Sequence, residues 1–160
     1  MKPRRLLIAA ALLIAASLLA VTAYARGHQS SASGVFFASM TGAQEVQGHH
    51  PNQGDPDAVG GAVVQIDDDT ATLCFGITVD NLDQPIASHI HIGPAGVAGP
   101  IVVPLTAPST GNPGASSGCV QGVAPDLLAS IKSNPAGFYV NVHTTAYPGG
   151  AVRGQLVPAS

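Results

Sequence analysis

His89-Ile90-His91 and Asn141-Val142-His143 hold the side chains best suited to chemistry in this 160-residue chain. On a strand, residues two apart project from the same side of a sheet, so His89 and His91 present two imidazoles together. His143 adds a third, in a run that also reads as a strand. Three imidazoles suit zinc or copper, with a fourth position open or filled by another donor. His49, His50, Glu45 and Asp57, all in one long loop, are the candidates for that position. On its own, the His49-His50 pair reads as solvated loop. The competing reading of the three strand histidines is a structural network. Imidazoles on strands hydrogen-bond carbonyls, hydroxyls or carboxylates, and Asn141 and Arg153 are available to join them. Both readings stay open, because spacing alone does not bring His143 to the other two.

Other chemistry finds little footing. The serines cluster in flexible tracts and point to no nucleophile. The acids form no evident pair for glycoside hydrolysis. Asp67-Asp68-Asp69 lacks the spaced oxygen ligands of a calcium loop and reads as a solvated hairpin tip.

The N-terminus reads as a targeting segment. Lys2, Arg4 and Arg5 precede an almost unbroken apolar run, Leu6 to Val21, and Ala23-Tyr24-Ala25 has the small-x-small form of a cleavage site. Residues 1–25 are therefore expected to be a signal peptide of the general secretory type, cut after Ala25. An uncleaved anchor is the alternative, although the run falls short of the roughly 20 residues a membrane span needs. Residues 26–34 read as a disordered lead-in. After cleavage three basic residues face nine acidic ones, a net −6 with histidines neutral. That balance disfavours nucleic acid and anionic membrane surfaces, which reward basic patches. Export also favours a disulfide between Cys74 and Cys119. The closed loop of about 45 residues corresponds to roughly 4 kcal/mol in the chain-entropy model.

The elements that must carry these side chains are mostly strands. Ala71 to Asp80 alternates apolar and small or polar residues over ten positions, with Leu73, Phe75, Ile77 and Val79 on one face and Cys74 on the other. Val35 to Thr41 and Gly60 to Asp67 alternate likewise. Ala87 to Ile92 and Ile101 to Leu105 are shorter strands. Gly42 to Ala58 and Thr106 to Gly118 read as irregular loops. Pro125 to Ser133 is the one helix, with proline and Asp126 in its first turn. Phe138 to Thr144 and Ala151 to Val157 form a terminal hairpin. Six or seven short strands and one short helix predict an all-β fold, an antiparallel Greek-key-like sandwich or open barrel.

Three blocks resemble a known family. Phe36-Phe37-Ala38 with Gly42-Ala43-Gln44-Glu45-Val46 resembles the opening of a CHRD domain, the module named after chordin. Ala87-Ser88-His89-Ile90-His91-Ile92-Gly93 resembles a second landmark. The most specific is Asn141-Val142-His143-Thr144 followed by Pro148-Gly149-Gly150 and Arg153-Gly154-Gln155. Gln47 stands where the family usually has proline. The resemblance covers 35–158 and is closest to small secreted bacterial single-domain members. It implies a β-rich module, secreted or in the cell envelope. The family motif also implies that Arg153 pairs with a carboxylate, Glu45 being the candidate, and so closes the first and last strands. The chain is expected to act, without catalysis, as a binding or structural module of unestablished ligand, its partner an extracellular protein or surface component. The alternative is a copper- or zinc-binding redox protein similar to copper–zinc superoxide dismutase, using His89, His91 and His143.

Overall fold

The computed structural model describes residues 34–48 and 50–159. The expected signal peptide, most of the lead-in and His49 lie outside the described residues; Gly34, expected in the lead-in, opens the first strand. Eleven strands alternate with little else: β1 (Gly34–Thr41), β2 (Val46–Gln47), β3 (His50–Pro51), β4 (Val59–Asp67), β5 (Thr72–Asp80), β6 (Pro85–Ile92), β7 (Ile101–Leu105), β8 (Gly114–Gln121), β9 (Phe138–Thr144), β10 (Val152–Gln155) and β11 (Val157–Pro158). The helix α1 spans Pro125–Ser133, and short 3-10 turns occupy Gly42–Gln44 and Pro135–Gly137.

Period two builds the main sheet. Phe36, Ala38 and Met40 of β1, Ala62, Val64 and Ile66 of β4, and Leu73, Phe75, Ile77 and Val79 of β5 all face one core. Their alternating neighbours face outward. The order is β7-β6-β9-β10-β1-β4-β5-β8, with β11 on β1, and every pair is antiparallel. The sheet curls into a nearly closed barrel, the open-barrel form of the expected fold. Its edge strands β7 and β8 approach without pairing. Leu128 and Ile131 of α1 enter the same core, and Lys132 ties the helix to Asp68 in the β4–β5 turn. In that turn Asp67 Oδ1 accepts from the Asp69 and Thr70 amides at 3.0 and 3.4 Å. The aspartates thus close a hairpin tip, and Ala71, at φ 50°, belongs to the turn and not to β5.

Two loops are more ordered than the sequence suggests. The second half of Thr106–Gly118 belongs to β8, which pairs with β5 along its whole length. Its residues, Gly-Ala-Ser-Ser-Gly-Cys-Val-Gln, have little strand propensity. The β5 ladder and the Cys74–Cys119 disulfide, which joins directly opposed positions, hold it instead. In the Gly42–Ala58 loop, β2 and β3 form a small hairpin. The loop is fastened by Asp55 N–H to the Ala151 carbonyl at 2.8 Å and Gly54 N–H to the Gly42 carbonyl at 3.2 Å.

Candidate metal centre

β9 is buried at all seven positions. Phe138, Val140 and Val142 face the barrel core. The alternate residues Tyr139, Asn141 and His143 belong to the opposite face of the strand, and they are buried as well. Strand register assembles the site there. His89 of β6 opposes Asn141, which opposes Arg153 of β10. One step along, His91 opposes Tyr139, which opposes Gln155. The result is a second, polar cluster outside the hydrophobic core.

His89, His91 and His143 converge, each offering one nitrogen within 4.8 Å of the others. His89 Nδ1 lies 3.1 Å from His143 Nε2. His143 Nδ1 lies 3.1 Å from the Pro148 carbonyl, and His91 Nδ1 lies 2.8 Å from the Gly99 carbonyl. A carbonyl oxygen only accepts, so each Nδ1 carries the proton and each Nε2 is left with a lone pair. His143 Nε2 also lies 3.0 Å from the Asn141 side-chain amide, which must turn its NH2 there, since Oδ1 would face that lone pair as a second acceptor. His91 Nε2 is buried with no hydrogen bond of good geometry, although Asn141 stands near enough to favour the protonated ring. Lone pairs thus gather where a cation would satisfy them.

The electrostatics keep these lone pairs free. Burial, then His143 and His91, lower the His89 pKa to about 4. Burial is also the main cause lowering His91 and His143, against the carbonyl hydrogen bonds that favour their protonated forms. At neutral pH the three rings are therefore uncharged, the form in which imidazole binds a metal. In a tetrahedral zinc site, Zn–N bonds of about 2.0–2.1 Å put ligand nitrogens about 3.3 Å apart. The His89–His143 separation of 3.1 Å is close to that. The widest separation in the trio, within 4.8 Å, must close by about 1.5 Å. His89 is half-buried and opens the cluster to solvent.

Arg153 does not pair with Glu45 as expected. The one ion pair among the described residues is Lys132–Asp68. Arg153 is buried, and its Nη1 and Nη2 donate to the Val97 and Pro94 carbonyls at 2.9 Å each. Its Nε and Nη2 donate to Gln155 Oε1 at 3.3 and 2.9 Å. The guanidinium is spent on pinning the Gly93–Pro100 loop over the site. Its carbon also lies 3.4 Å from the centre of the Tyr139 ring, and that ring stacks on His91 at 4.8 Å and 8°. Glu45 is 1% exposed, and its Oε2 accepts from the Val46 amide at 3.3 Å. Its Oε1 has no partner and sits where a side chain on Gly150 would be, 2.2 Å from the ideal Cβ. Gly150 also has φ 135°, so that position demands glycine. Burial pushes the Glu45 pKa up to about 7, against the pull of Arg153, the Val46 amide and Asn141.

The remaining motif residues are scaffolding. Pro148 supplies the carbonyl that orients His143. Gly149 packs beside Gln47, and Gly154 lets β10 approach the Ser39 carbonyl, 2.4 Å from where a Cβ would stand. Gln155 Nε2 donates to carbonyls of Gly93, Ala136 and Phe138. Of the loop donors, His50 and Asp57 are exposed and, like Glu45, do not join the trio.

Tyr139 and Gly99 stand inside the blocks that resemble the family, but the sequence reading gives neither a part in the site. Tyr139 could have been found, since it shares period two with Asn141 and His143. Gly99 lies in an irregular loop without a periodic signal. Gly114–Gly118 spells Gly-x-Ser-x-Gly, a motif the sequence reading wrongly took to be absent. It lies inside β8, away from any strand-turn-helix elbow, and Ser116 Oγ donates to the Thr106 carbonyl at 2.7 Å. It is no nucleophile elbow.

A family model described as the CHRD domain matches residues 36–156. No curated protein and no solved structure matches the chain. The matched span runs from β1 to the end of the terminal hairpin and contains all three clustered histidines; the chain belongs to the CHRD-domain family.

Proposed function

We propose that this CHRD domain is an exported, non-catalytic binding module whose ligand is a transition-metal ion, copper or zinc, held by His89, His91 and His143. The observation that carries this reading is the buried His91 Nε2, which lacks a hydrogen bond of good geometry, on a ring that converges with two other imidazoles. A purely structural network accounts for His143, which has partners at both nitrogens. It does not account for His91, because an unpaired buried acceptor costs about 1–3 kcal/mol. The test is elemental analysis of the purified protein, followed by titration of copper and zinc into the metal-free form. One equivalent should bind in the parent, and none in His91→Ala or His143→Ala. Equal binding in parent and variants would sink the reading.

Export is supported by the basic-then-apolar N-terminus and by a disulfide that an oxidising compartment sustains. Among the described residues, no helix is long and apolar enough to cross a membrane. N-terminal sequencing of the exported protein should begin at Arg26; a sequence beginning at Met1 would favour a retained anchor.

A further inference from the structure

We infer that the three-histidine site selects cuprous copper over divalent ions, and that Arg153 sets this preference; the inference rests on the metal reading above. Three neutral imidazoles supply no negative charge. Among the described residues no carboxylate joins the donor set. The charged side chain acting on His91 is the Arg153 guanidinium. It reaches the site through Tyr139, whose ring lies against both the guanidinium carbon at 3.4 Å and the His91 ring at 4.8 Å. Both His91 and Arg153 are buried, at 7% and 1% exposure, so solvent screens this charge weakly. Glu45, the buried carboxylate of this cluster, is not in the donor set, and burial favours its neutral form.

The cost of placing an ion in such surroundings grows with the square of its charge, and its repulsion from Arg153 grows in proportion. A divalent ion carries both penalties in full, with no anionic ligand to offset them. A monovalent ion carries about a quarter of the first and half of the second. Among the metals that imidazole binds well, copper offers a stable monovalent state. That state also accepts three ligands, as many as converge here. Arg153 is a positioning residue as well as a charge, because its hydrogen bonds to Pro94 and Val97 hold the loop whose Gly99 carbonyl orients His91.

The experiment is a set of competition titrations on the purified metal-free protein. Bicinchoninate reports cuprous ion under anaerobic reducing conditions, nitrilotriacetate buffers cupric ion, and a colorimetric chelator reports zinc. Cuprous ion should bind about a thousandfold or more tightly than either divalent ion. Zinc or cupric ion binding as tightly would overturn this inference and leave the metal reading standing. Silence in all three titrations would overturn both. In Arg153→Gln, with folding checked by near-ultraviolet circular dichroism, the cuprous-to-zinc affinity ratio should fall about tenfold. An unchanged ratio in a folded variant would remove Arg153 from the account. Should that variant not fold, the parent's ratio decides the matter.

Discussion

At the scale of single residues, the histidines and Glu45 pull stability in opposite directions with pH. Stability rises with pH wherever the unfolded chain binds more protons than the native one. The native pKa of His89, about 4, lies below the ordinary 6.5, and His91 and His143 are lowered too. Their contribution is therefore full above pH 6.5 and is lost as the pH falls towards 4. Glu45 is raised from 4.5 to about 7, so its contribution is full below 4.5 and is lost as the pH rises through 7. The His89 shift, from 6.5 to about 4, offsets that of Glu45, from 4.5 to about 7, and His91 and His143 add to the histidine side. The melting temperature of the metal-free protein should fall between pH 7 and pH 5, and Glu45→Gln should steepen that fall. Scanning calorimetry across this range checks both, and a flat profile would contradict them. None of these shifts was legible in the residue types. They come from burial, and burial of an outward-facing imidazole depends on the loops folded over it.

At the scale of elements, the Gly93–Pro100 loop and strand β8 are the pieces whose behaviour is least like their sequence. A Cβ at Gly99 would stand 1.7 Å from the Ile92 carbonyl. Gly99→Ala must therefore push the loop away and take with it the oxygen that orients His91. The expected loss is about 10–100-fold in metal affinity, with about 1–3 kcal/mol of stability. Competition titration and urea unfolding read the two separately, and an unchanged affinity would detach the loop from the site. β8 is an edge strand of small residues that follows β5 through backbone pairing and one disulfide. Replacing both Cys74 and Cys119 by serine should cost about 2–4 kcal/mol. Amide exchange at Gly114–Gln121 should then speed up before that of β5. The strands with strong alternation, β1, β4 and β5, were readable because one buried and one exposed face imprint period two on them. β8 was not, because partners, and not its own residues, order it.

For the whole molecule, metal binding and folding are one equilibrium. The site draws its ligands from β6 and β9, and its orienting carbonyls from the 93–100 loop and the β9–β10 turn. An ion that binds only this assembled form stabilises it by about 2.7 kcal/mol at a hundredfold excess over Kd. The melting temperature should accordingly climb with free metal concentration and keep climbing past saturation. His143→Ala should lose the whole effect. A midpoint that ignores the metal would mean that binding, if any, occurs equally well on the unfolded chain.

The chain's own pattern was enough to specify the alternating strands, helix, disulfide partners and family, because those follow from periodicity, compartment chemistry and short motifs. It was also enough to nominate His89, His91 and His143. Whether they meet was decided by register: β6 lies between its sequence neighbour β7 and the distant β9, which puts residues 54 apart within 3.1 Å. The fate of Arg153 was decided the same way. Its type allowed a carboxylate partner, but the β9–β10 ladder places it beneath the 93–100 loop. There the carbonyls of Pro94 and Val97 lie in reach of its planar fork, and Glu45 does not.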